Sequence, residues 1–110
     1  MNRVGRRDWI EWLDALKPST AVDLPTARGA DRRWRFKRAD YDPFEDVVEI
    51  VLEDDVGSLR VLLDAPHAIE YAGPARSPDR IVITTDEGPF ELSSVRHPRH
   101  ARASVSRLRV

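Results

Sequence analysis

One segment in the middle of the chain constrains the fold more than any other: residues 41–52, YDPFEDVVEIVL. Asp42 and Pro43 predict a turn, because the proline ring fixes its own φ and pushes the preceding residue out of the helical region. The β-branched run that follows favours an extended strand over residues 46–52. Side chains alternate between the two faces of that strand. We expect the face with Val48, Ile50 and Leu52 to be buried, and the face with Val47, Glu49 and Val51 to be the more exposed one.

The length and composition of the chain limit the class of protein. With 110 residues it suits one domain with a single core, and it is too short for a cofactor-binding domain plus a substrate domain. Hydrophobic residues at 41% recur in periodic blocks, which favours a globular chain over a disordered one. No cysteine is present, which excludes a disulfide framework, a thiolate zinc site and a cysteine nucleophile. No apolar run approaches the ~20 residues of a membrane span, so we expect a cytoplasmic protein with no membrane contact.

A helix is predicted over residues 6–17, RRDWIEWLDALK. Gly5 is a candidate N-cap and Pro18 ends the helix. One arc carries the apolar side chains Trp9, Trp12, Leu13 and Leu16, and the opposite side carries Glu11 and Asp14. Two tryptophans on one face suit a ligand platform, but the large area that each ring buries favours a core position in so small a domain.

The rest of the chain predicts strands separated by turn residues. The expected strands are residues 33–38, 46–52, 58–63, 68–72, 80–85 and 90–95. Residues 19–30 are expected to form a loop, in which residues 21–24 are a possible short edge strand. Two hairpins are expected, with Gly88 in a left-handed turn position of the second. The predicted fold class is α+β, with one N-terminal helix packed on a mainly antiparallel meander sheet of five to six strands. Residues 1–95 form the single domain, and residues 96–110 form a basic C-terminal tail or a final edge strand.

Charge is segregated into three blocks: residues 28–38 carry +5, residues 40–55 carry −8 and residues 96–109 carry +5. Strands of opposite charge could lie side by side, or the basic blocks could bind nucleic acid or an acidic partner. Strict alternation in residues 33–38 points Trp34 and Phe36 away from the basic side, which favours a core position over a base-stacking platform. The candidate partner-binding residues are Arg33, Arg35, Lys37, Arg96, Arg99, Arg102, Arg107 and Arg109.

Residues that could carry chemistry are few. Pro98 prevents a regular helix through His97 and His100, and no acid lies near that pair to complete a metal site. His67 follows Pro66 in a turn, where a surface or loop-capping role is expected. The acid pairs at residues 54–55 and 86–87 are turn residues, and no nucleophile elbow or phosphate loop is present. We therefore predict no catalytic residue, no metal and no cofactor. A non-catalytic interaction or regulatory module comes first, a nucleic-acid-binding protein using residues 28–38 and 96–109 second, and an enzyme third.

Three landmarks along the chain carry a resemblance. They are Arg7-Asp8-Trp9, the Tyr41-Asp42-Pro43 turn with Asp46 before its strand, and the strand from Pro66 to Tyr71. Over residues 5–95 the chain resembles a family of small uncharacterised bacterial proteins of about this length. The resemblance implies an N-terminal helix with an antiparallel sheet. It implies no activity or site, and the arginine-rich segment after Val95 departs from the pattern.

Overall fold

A computed structural model describes residues 1–18, 22–23 and 34–94. Expectations for residues 24–33 and for residues 95–110 lie outside the described part. The elements in chain order are β1 (Asn2–Val4), a 3-10 turn (Arg6–Asp8), α1 (Trp9–Asp14), β2 (Val22–Asp23), β3 (Arg35–Asp42), β4 (Val47–Glu53), β5 (Ser58–Asp64), β6 (Ala68–Ala72), β7 (Arg80–Thr85) and β8 (Gly88–Ser94).

The strands form two antiparallel sheets, with the orders β1-β6-β7-β8-β2 and β3-β4-β5. Val22 joins them through one bridge, in which its N–H donates to the Trp34 carbonyl at 2.8 Å. The predicted α+β class is confirmed, whereas the single meander of five to six strands is wrong. The chain leaves the three-stranded sheet after β5, where Ala65 adopts a φ of +50° before Pro66. β6 then pairs with β7 and with β1, a strand that the sequence did not predict.

The helix is shorter than predicted, because its first turn is 3-10 and its α-helical part ends at Asp14. Its packed face is nevertheless confirmed. Trp9 is 1% exposed and Leu13 2% exposed, and Trp12 is half-buried. Trp9 also donates its indole N–H to the Val4 carbonyl at 3.1 Å. The helix therefore stays docked on β3 and covers the core, despite having fewer than two regular turns.

The predicted register of the β4–β5 hairpin is confirmed. Val48, Ile50 and Leu52 are at most 1% exposed. Each lies opposite an apolar residue of β5, in the pairs Val48–Leu63, Ile50–Val61 and Leu52–Leu59. These side chains share one face, which joins the common core.

β3 completes that face, as the alternation of rings and charges predicted. Trp34 is 7% exposed and Phe36 5% exposed. A bulge between Phe36 and Arg38 then shifts the inward positions by one residue, so that Ala39 and Tyr41 follow on the same face. The outer face of the three-stranded sheet is charged, although Val51 on it is only 7% exposed. Arg38 and Arg60 lie opposite Val51 on either side, and their aliphatic stems provide cover.

The β7–β8 hairpin is confirmed, and its Gly88 has the expected positive φ, 112°. Its inward residues join Val4, Ile69 and the helix in the same core cluster. No helix of the described chain is long and apolar enough to cross a membrane.

Candidate interaction surface

The basic residues proposed to bind a partner are only partly within the described structure. Arg35 and Lys37 lie on β3, outside the core. Arg35 bonds Asp55 at 3.4 Å, and the Lys37 ammonium lies 3.8 Å from Glu53. Both cations therefore already face acids of the neighbouring strand and its turn. The other candidates lie outside the described residues: Arg33, Arg96, Arg99, Arg102, Arg107 and Arg109.

Glu49 on the central strand β4 forms ion pairs with two further cations on the outer face. Arg60 of β5 donates to one carboxylate oxygen at 2.5 Å, and Arg38 of β3 donates to the other at 3.2 Å. The bond from Arg60 is the main cause that lowers the pKa of Glu49, against the opposing effect of burial. The cross-strand interpretation of the charge blocks is thus confirmed for the described residues, since ion pairs tie β3, β4 and β5 together.

The far end of the same outer face is acidic. Asp40, Asp42, Glu45 and Asp64, called here the acidic outer surface, line a concave region that also includes Leu62 and the paired residues Glu49 and Arg60. Asp40 accepts a hydrogen bond from Arg38 at 2.9 Å, so part of this negative charge is already balanced. Leu62 is 55% exposed although it lies in the middle of a strand. The Asp42 carboxylate is partly committed to the turn, because it accepts the N–H of Phe44 at 2.9 Å and that of Glu45 at 3.3 Å. Negative charge and exposed aliphatic surface therefore meet beside β5.

Strand β5 is the open edge of the three-stranded sheet in the described structure. All seven of its residues pair with β4 without a register shift. The Asp54 N–H donates to the Gly57 carbonyl at 2.8 Å, and the Ala65 N–H donates to the Asp46 carbonyl at 2.9 Å. Since hydrogen-bonded pairs alternate in an antiparallel ladder, these two bonds fix which residues of β5 turn their backbone groups to β4. They are Leu59, Val61 and Leu63, so Ser58, Arg60, Leu62 and Asp64 direct their N–H and C=O groups to the open side.

The other edges of the described sheets have features that discourage strand addition. β1 has three residues and β2 has two, while β3 is bulged and the residue before it, Trp34, is bridged to Val22 of β2. Short strands, bulges and covering helices are the usual protection of sheet edges. In the described part of the chain β5 has none of these, and it contains neither proline nor lysine, although Arg60 and Asp64 on its outer face are charged. Its inward side chains Leu59, Val61 and Leu63 are only half-buried. It is therefore the edge of the described structure that is best suited to pair with another strand.

A polar network holds the end of the β4–β5 hairpin against the helix. Arg6 donates to the Tyr41 hydroxyl at 3.2 Å and to the Pro66 carbonyl at 3.1 Å. The Tyr41 hydroxyl donates to Asp46 at 2.5 Å, and this bond is the main cause that raises the pKa of Tyr41. The Arg6 guanidinium also lies 4.4 Å from the centre of the Trp9 ring. Trp9, Tyr41, Asp46 and Pro66 each belong to a stretch that carries the resemblance, and Arg6, which does not, contacts all four.

Backbone strain accompanies this network. Asp46 has a φ of 56° and Ala65 a φ of 50°. The Ala65 N–H donates a hydrogen bond to the Asp46 carbonyl at the end of the hairpin. Non-glycine residues rarely adopt such angles unless their surroundings impose them. The Tyr41 hydroxyl donates to the Asp46 carboxylate, so it acts here as a donor and not as a base. The network therefore fixes the position of the β5 end and does not provide a reactive group.

Two further polar groups, His67 and the Trp12 indole, lie outside this network. His67 Nε2 lies 2.5 Å from the Asp86 carboxylate, and its side chain is exposed, in agreement with the surface position predicted for it. The indole N–H of Trp12 is buried without a hydrogen-bond partner, and Tyr71 packs beside its ring. No group of three metal-ligating side chains occurs among residues 1–18, 22–23 and 34–94.

Sequence reasoning located β5 but not its exposed edge. Strand alternation shows which side chains face the core, but pairing partners depend on where the chain changes sheets. The sequence signal for the exposed edge of β5 is Leu62, an apolar residue at a position where the alternation of the strand predicts a polar one.

No protein-family model, no curated protein and no solved structure matches this chain. The resemblance to a bacterial family and the cytoplasmic location stay predictions.

Proposed function

We propose that the protein is a non-catalytic interaction module that binds an extended segment of a protein partner along β5. The observation that carries the proposal is the open, regular edge of β5, whose alternate residues direct their backbone groups outward. A peptide that adds as a fourth strand would pair with these groups, and its side chains would determine specificity.

The surroundings of the edge indicate the chemistry of the partner. On the inner face, half-buried Leu59, Val61 and Leu63 favour apolar side chains on an added strand. On the outer face, Asp64 belongs to the acidic outer surface and the charge of Arg60 is balanced by Glu49, which leaves an excess of negative charge that favours lysine or arginine. The partner segment is therefore expected to alternate apolar and basic residues. Nucleic-acid binding gains no support from Arg35 and Lys37, because both already lie beside acids.

A proline in β5 tests the proposal. The Leu62 N–H faces the open side, so Leu62→Pro removes a donor needed by an added strand and leaves the ladder to β4 intact. Leu62→Thr is the matched control, because it shortens the same side chain but keeps the N–H. Binding is measured by fluorescence anisotropy with a labelled peptide of alternating valine and arginine. A second peptide carries glutamate in place of arginine.

We expect the arginine peptide to bind the wild type and Leu62→Thr, with at least tenfold weaker binding to Leu62→Pro. Urea titration of each variant confirms that all of them are folded. Equal binding by Leu62→Pro, or a preference for the glutamate peptide, would contradict the proposed edge or the proposed partner chemistry respectively.

A further inference from the structure

We infer that β5 also pairs with β5 of a second copy of the chain, around a two-fold axis at Val61, to give a continuous six-stranded antiparallel sheet. This inference rests on the proposed function, because it uses the same open edge. It names a partner that the sequence of β5 itself supports.

The backbone of β5 is self-complementary in this arrangement. With the axis at Val61, Ser58 lies opposite Asp64 of the partner subunit, and Arg60 lies opposite Leu62 of the partner subunit. All of these residues direct their backbone groups outward, so each pair can exchange two hydrogen bonds. All seven residues of the strand take part. Moving the axis to Arg60 or to Leu62 shortens the ladder by two residues.

The side chains of β5 also match across the axis. On the inner face, Val61 meets Val61 of the partner subunit, and Leu59 meets Leu63 of the partner subunit. These residues are half-buried in one chain, and a second strand would cover them. On the outer face, Arg60 lies diagonal to Asp64 of the partner subunit, within reach of a long side chain. The positive charge of Arg60 is already balanced by Glu49, which limits repulsion between the two copies of Arg60.

A single cysteine tests the pairing and its register. The chain has no cysteine, so Val61→Cys introduces the only thiol. At a non-hydrogen-bonded pair on the axis the two Cα atoms are about 4.5 Å apart, within the range of a disulfide. Leu62→Cys is the matched control, because its two copies would be about 8 Å apart, beyond that range. Each variant is oxidised with glutathione, and the cross-linked fraction is followed on a non-reducing gel.

We expect Val61→Cys to cross-link at least tenfold faster than Leu62→Cys, and the wild type to approach twice the monomer mass in sedimentation as its concentration rises. Faster cross-linking of Leu62→Cys would overturn the axis at Val61. A wild type that stays monomeric, with equally slow cross-linking of both variants, would overturn the dimer.

The two proposals fail separately. A monomer that still binds the alternating arginine peptide contradicts the dimer only. A dimer supports this inference. Because the dimer would occupy the β5 edge, peptide binding is measured at a concentration at which the wild type is monomeric, and a lack of binding there contradicts the partner chemistry assigned under the proposed function.

Discussion

Leu13 and Ile10 provide a direct test of the packed helix, because both are aliphatic and belong to α1 but differ in burial. Leu13 is 2% exposed and belongs to the core cluster, whereas Ile10 is 51% exposed. Truncating a fully buried leucine costs about 2–5 kcal/mol, since the transfer free energy is lost and a cavity remains. Ile10 keeps half of its surface in water, and alanine has the higher helix propensity. We therefore expect Ile10→Ala to cost less than about 1 kcal/mol.

The free energy of unfolding is measured by urea titration with tryptophan fluorescence, because Trp9 and Trp34 are buried and become exposed on unfolding. Leu13→Ala should shift the midpoint strongly at an unchanged slope, while Ile10→Ala should barely move it. The acidic residue Glu11, on the solvent side, serves as a second control, and Glu11→Ala should stay within about 0.5 kcal/mol. Equal losses for Leu13→Ala and Ile10→Ala would refute the assigned face.

Two further outcomes follow from the hairpin end and from the outer face. Ala65→Gly relieves a positive φ and should raise the free energy of unfolding by up to about 1 kcal/mol in a urea titration, after the entropy of glycine in the unfolded chain is deducted. Ala68→Gly, in regular β6, should lower it, and a loss for Ala65→Gly would contradict the strain. The lowered pKa of Glu49 means that its contribution is present above the pKa of the unfolded chain and is lost as pH falls through the folded pKa. Glu49→Gln should therefore be less stable than the wild type at pH 7, and the difference should disappear in acid; a gap independent of pH would count against the ion pairs.

The sequence predicted the strands and their buried faces well, because both depend on local alternation. Val48, Ile50 and Leu52 face the core because they make one side of β4 uniformly apolar. The Gly88 turn and the β7–β8 hairpin were predicted on similar grounds. These features need only neighbouring residues, so a single sequence suffices to find them.

The division into two sheets could not be predicted in this way. It depends on the bend at Ala65 and on the pairing of β6 with β1, whose residues are far apart in the chain. The Arg6 network also depends on long-range contacts, because Arg6 meets Tyr41 and Pro66 only after the helix docks. The segregated charge blocks indicated ion pairs between neighbouring strands. They could not show that negative charge is left in excess at one end of the three-stranded sheet.

Two non-glycine residues with positive φ, Asp46 and Ala65, lie at the end of the open β5 edge. Both residues lie where β4 begins and β5 has just ended, and Arg6 ties that point to the helix through Tyr41 and Asp46. A strand held rigidly at its end loses less conformational entropy when another strand pairs with it. The conformational entropy of the end of β5 is lost when the chain folds, so the β5 edge already has the geometry of a paired strand. The bend at Ala65 also carries the chain from one sheet to the other, so the strained hairpin end serves the fold of the monomer as well as the proposed interaction of β5.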